Sequence, residues 1–137
     1  MKDLIKRLEK AEFSSRELDA EIFILITPGV AEAGRIDRDG GVVGWWPKDR
    51  PYQSAREVPR YTNSVDAAIM LVPPDRNWEL QSAIPGCEDD LCQAECRSWN
   101  ETFSVSEDCS SGWAKTPALA LCAAALSARA WIRDNPR

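Results

Sequence analysis

The stretch TPALALCAAALSARAWIRD, residues 116–134, limits the possible folds more than any other part of the chain. Thr116 followed by Pro117 is a helix start, an N-cap with proline at the first helical position. Beyond it, Leu119, Cys122, Ala123, Leu126 and Ala130 fall on one stripe of a helix running through about Arg133. The alanines are the instructive part. Small side chains let a helix axis come close to whatever it covers, so this helix is expected to press onto a neighbouring layer. Arg129 and Arg133 sit where cations complement the negative end of the helix dipole.

Alternating segments supply the layer. RNWELQSAI sets Trp78, Leu80, Ser82 and Ile84 against polar neighbours, and LCQAECRSW sets Cys92, Ala94, Cys96 and Ser98 against Gln93, Glu95 and Arg97. A period of two predicts half-buried antiparallel strands, here joined by the acidic loop GCEDD, residues 86–90. FSVSE, residues 103–107, is a further candidate strand, CSSG at 109–112 reads as a turn, and a short strand is expected near residues 42–46.

Three more helices are expected. Residues 2–13 place Leu4, Ile5, Leu8 and Ala11 on one side. Ser14 with Glu17 fits a capping box opening a second helix, whose stripe is Leu18, Ile22, Leu25 and Ile26. Ser64 caps a short third helix with Asp66 in its first turn and Val65, Ala68, Ile69 and Val72 facing inward, stopped by Pro73 and Pro74. Residues 47–59 carry three prolines and read as a surface loop. Helices before, between and after a mostly antiparallel sheet predict an α+β fold, the sheet layered between helices as an α/β/α sandwich. Residues 1–137 are enough for one domain of this kind.

SRELDAEI (15–22), PRYTNSVDAAIMLVP (59–73), NWEL (77–80) and TPALALCAAALSARA (116–130) together resemble the phage ABA sandwich domain family, small proteins of phages and prophages. The resemblance runs in order over most of the chain, on caps and apolar positions rather than reactive groups. It implies an antiparallel sheet between helices, a phage or prophage accessory protein in the host cytoplasm, and no catalytic signature. Residues 28–58 and 85–112 lie outside it.

Chemistry is limited by what the chain lacks. There is no histidine, so the commonest general base and the usual partner of a serine or cysteine nucleophile are missing. Among carboxylates, Glu17 and Asp66 have roles at helix starts, and Asp19 lies on a solvated face or bonds another element. No Gly-rich phosphate or dinucleotide pattern occurs. A protein that is not an enzyme and needs no cofactor is expected. The net charge of -5 argues against general nucleic-acid binding, which depends on neutralising phosphates. The apolar run ALALCAAALSARAWI falls short of the roughly 20 residues that span a bilayer, and MKDLIKRLEKAEF has no continuous apolar core of a secretory signal. A cytoplasmic protein with no membrane partner is expected. Cys87, Cys92, Cys96, Cys109 and Cys122 read as thiols in that compartment. On one strand face Cys92 and Cys96 would stand about 13 Å apart, at roughly 3.3 Å per residue, too far to share a zinc with bonds of about 2.3 Å. No metal site is expected.

Binding has more support. GGVVGWWPKDRPYQ, residues 40–53, pairs Trp45 with Trp46 and continues into Lys48, Arg50 and Tyr52, with Arg56 and Arg60 downstream. Consecutive strand residues point to opposite faces, so one tryptophan joins the core and the other looks outward or under the following loop. Across residues 45–60 the four cations Lys48, Arg50, Arg56 and Arg60 oppose Asp49 and Glu57. An aromatic and basic segment can hold a planar anion by stacking and charge-assisted hydrogen bonds. The ligand-binding candidates are therefore Trp45, Trp46, Lys48, Arg50, Tyr52, Arg56 and Arg60. The alternative is that both tryptophans pack under the loop and the cations are solvated. The expected partner is a small anionic, nucleotide-like host molecule or a host protein, sequestered or inhibited to blunt host defence. The competing reading is a homo-oligomeric structural or protein-interaction module with no small-molecule ligand.

Overall fold

A computed structural model describes residues 1–27, 34–36, 43–45, 56–81, 91–98 and 109–135. In chain order the elements are α1 (Lys2–Lys10), α2 (Arg16–Ile26), β1 (Gly34–Ile36), β2 (Val43–Trp45), β3 (Arg56–Glu57), α3 (Val65–Ile69), β4 (Arg76–Gln81), β5 (Cys92–Ser98), β6 (Cys109–Ala114) and α4 (Pro117–Asp134). They include two three-stranded antiparallel sheets, ordered β1-β2-β3 and β4-β5-β6. A sheet packed against helices is the α+β arrangement the sequence predicts. α1 and α4 pack on β4-β5-β6, and among the described residues no second helical layer covers its other face, where Glu79, Arg97, Ser111 and Trp113 are exposed.

The predicted close approach of the alanine-rich helix is met by a glycine. On β6 the inward positions are Ser110, Gly112 and Ala114, all buried, and α4 lies against them. A Cβ placed on Gly112 would run into the Ala120 carbonyl oxygen, with the Ala124 nitrogen 2.6 Å away and the Ala123 Cβ 2.9 Å away. Helix backbone therefore touches strand backbone, which only small residues on both sides allow. Cys92, Ala94 and Cys96 continue the same buried face on β5. Leu119, Leu121 and Leu126 of α4 are fully buried, each contributing about 1.5–3 kcal/mol of apolar burial. CSSG thus opens β6 instead of forming a turn. Ser110 and Gly112 suit the helix contact, and that tertiary fit overrides their weak strand preference. FSVSE lies outside the described residues.

The remaining helices close the layer. α1 buries Leu4 and Leu8 and packs on α4 and β6. It is tied to the β6 edge where Glu9 accepts from the Trp113 amide (3.4 Å), and Lys115 just beyond the strand pairs with Glu12 (3.2 Å). Thr116 caps α4 by accepting from the Leu119 amide (3.2 Å), and Ser64 caps α3 by accepting from that of Ala67 (3.3 Å). α2 begins one residue later than expected: Ser15, not Ser14, accepts from the Leu18 amide (3.3 Å). That register moves Glu17 off the capping-box position, while the Ser14 hydroxyl turns to Asn63 Oδ1 (3.3 Å). β2 matches the strand expected near residues 42–46. β3 falls inside the stretch expected to be loop, because Arg56 and Glu57 pair with β2. No helix among the described residues is long and apolar enough to cross a membrane.

Candidate functional site

The β1-β2-β3 ladder brings two of the seven candidate residues to one register position. Gly34, Trp45 and Arg56 form a row across the three strands, and Arg35, Gly44 and Glu57 form the next. Directly opposed residues are the closest cross-strand neighbours in an antiparallel sheet. Trp45 is thereby set between a glycine and an arginine. Trp46, Lys48, Arg50 and Tyr52 lie outside the described residues. Arg60 is exposed, and its carbonyl accepts from the Asn63 and Ser64 amides (3.1 and 3.0 Å), leading the chain from β3 into α3.

Between β3 and α3, residues 58–62 are clamped onto α2 by a buried polar knot. Asp19 is 1% exposed, and its Oδ1 accepts from the Thr62 amide (2.8 Å) and the Thr62 hydroxyl (2.7 Å). Its other oxygen accepts from Arg16 Nη1 (2.8 Å), while Arg16 Nη2 donates to the Val58 carbonyl (2.8 Å). The Ser15 amide donates to the Thr62 hydroxyl oxygen (3.0 Å). Asp19 thus bonds another element, the second of the two roles the sequence left open. A signal for this existed: Asp19 stands beside Leu18 and three residues before Ile22, next to the buried stripe rather than opposite it. Glu17 and Asp66 are exposed in the first turns of α2 and α3. The roles of Tyr61 and Thr62 were not read from the sequence, which offers no periodic pattern there.

The knot touches α4 through a thiol. Cys122 Sγ donates to the Tyr61 carbonyl (3.1 Å), and about two turns further on Arg129 Nε donates to the Leu71 carbonyl (2.6 Å). Burial pushes the Cys122 thiol far above its ordinary range, and the Asp19 carboxylate adds to the shift. Burial likewise raises the Tyr61 phenol, with Arg129 opposing and Asp19 and Cys122 reinforcing. Burial lowers Arg129, with Tyr61 opposing. A thiol held protonated inside a core is a poor nucleophile and a poor metal ligand. Cys92 and Cys96 are also buried free thiols. What this cluster can do is lock: it fixes the chain that leaves β3, and with it the strand carrying Arg56.

Compared with protein-family models, curated proteins and solved structures, the chain has no match.

Proposed function

We propose that the protein acts by binding, without catalysis and without a cofactor, and that it holds a small anionic, nucleotide-like molecule at the β1-β2-β3 sheet. The observation that supports this reading is the direct opposition of Trp45 and Arg56 in the β2-β3 ladder. Tryptophan is a residue type that stacks on a planar ring, and arginine one whose fork of donors suits an anionic group. Gly34, the other register partner of Trp45, adds no side chain of its own to that row. The buried clamp of Asp19 on Thr62 restrains the chain just beyond Arg56, which reduces the ordering cost of binding there. The setting in a phage or prophage, where such a protein would sequester a host nucleotide signal and blunt defence, rests on the resemblance to the phage ABA sandwich domain family.

The test is thermal melting and intrinsic fluorescence of the full chain against a panel of nucleoside monophosphates, diphosphates and cyclic dinucleotides. A ligand at 100 times its dissociation constant stabilises the fold by about 2.7 kcal/mol. Trp45→Ala and Arg56→Ala should each remove most of the shift while the free proteins melt as the parent does. A panel that moves neither readout removes the proposal.

A further inference from the structure

The β4-β5-β6 sheet has a second face, turned away from α4, and its chemistry differs from everything on the buried side. Register places Glu79 directly opposite Glu95, and Gln93 directly opposite Trp113. Like charges in direct cross-strand opposition destabilise a sheet, and here the opposition sits in its middle. Glu95 is answered on its own strand, where Arg97 donates to one carboxylate oxygen and Gln93 to the other. Glu79 is exposed, and among the described residues it forms no ion pair. One row away, Trp113 leaves 38% of its surface in solvent. The guanidinium of Arg97 shows which group Glu95 accepts, and an exposed indole face attracts a cation as well.

We propose that this bare face docks a basic peptide segment of a partner protein, one cationic side chain seated over Glu79 and Glu95 and a second against Trp113. The argument is charge complementarity. A face whose carboxylates outnumber its cations, on a chain of net charge -5, draws a basic partner and repels an acidic one. Spacing agrees: with strands roughly 4.8 Å apart and a rise of about 3.4 Å per residue, Glu79 and Trp113 are separated by about 12 Å, the reach of three to four residues of an extended chain. The partner therefore carries Lys or Arg at that interval.

The test uses the full isotope-labelled chain, titrated with hexa-arginine and separately with hexa-glutamate while amide resonances are followed. Hexa-arginine should shift amides concentrated in 77–81, 93–97 and 111–113, and hexa-glutamate should shift none of them. Glu79→Gln and Trp113→Ala should each weaken hexa-arginine binding by roughly threefold, the scale of one exposed ion pair. Glu79→Gln removes a like-charge opposition, so it should melt no lower than the parent, which separates lost binding from lost folding. Shifts centred elsewhere, parental affinity in both variants, or the same amides moving with protein concentration and no peptide, which would mean a second copy covers the face, each overturn the proposal.

Discussion

Two regions hold α4 in place, and they do so by opposite means. Against the sheet the helix is held by the absence of atoms: Gly112 lets strand and helix backbones meet, and alanines carry the contact. At the Tyr61–Thr62 segment the contact is made by polar atoms placed to fractions of an ångström, with Asp19, Thr62 and Arg16 satisfying one another and the Cys122 thiol closing the link to α4. The first interface tolerates a change of polarity more readily than a change of volume, and the second the reverse. Cys122 belongs to both, small enough for the helix contact and polar enough for the knot.

Gly112→Val breaks the first region most severely. The obstacle is helix backbone, which has no rotamer to yield, so the cost should exceed roughly 3 kcal/mol, at the upper end of overpacking effects. Ser111→Val, one residue away on the exposed face, should stay within about 0.5 kcal/mol. Urea denaturation of the pair measures the contrast. Equal costs would mean that the sheet and α4 are not in backbone contact.

Asp19→Ala breaks the second. It leaves the Thr62 amide without its acceptor and Arg16 without its carboxylate, though Arg16 keeps the Val58 carbonyl and stays partly solvated. The expected loss is therefore roughly 2–3 kcal/mol, below that of a fully sealed pair. Asp19→Asn keeps the volume and one acceptor oxygen, and should recover about half of it by the same denaturation measurement. If Asn costs as much as Ala, charge rather than hydrogen bonding holds the knot.

The two regions were unequally legible in the sequence. The α4 interface was readable because its signals are local and periodic: the cap at Thr116, the stripe through Leu119 and Leu126, the alternation of β4 and β5. Even there β6 was missed, because Ser110 and Gly112 carry a turn composition and become strand residues only under a helix. The knot was not readable, because Asp19 and Thr62 are 43 positions apart and no propensity links them. Of the candidate site, Trp45 and Arg56 were selected by composition alone, and their opposition came from the register. The bare face of β4-β5-β6 was visible in the alternation of Gln93, Glu95 and Arg97, but its pairing of Glu79 with Glu95 again needed the register.

The smallest of these effects appears with pH, where the regions meet. The Cys122 thiol and the Tyr61 phenol are both raised in the folded chain above their ordinary values of 9.0 and 10.0. Above those values the unfolded chain releases protons that the folded chain keeps, so the stability they contribute is complete at lower pH and declines as pH rises through the alkaline range. Each group adds at most about 1.4 kcal/mol per pH unit to the slope. Arg129 is shifted the other way, lowered by burial. Cys122→Ala should therefore flatten the stability curve between about pH 9 and 10 and leave the Tyr61 component to set in later. The comparison is one of slopes, so the baseline cost of losing the thiol's bond to the Tyr61 carbonyl does not obscure it. Parallel curves for the variant and the parent would show that the thiol ionises as freely inside as outside, and that the seam between helix and knot is open to water.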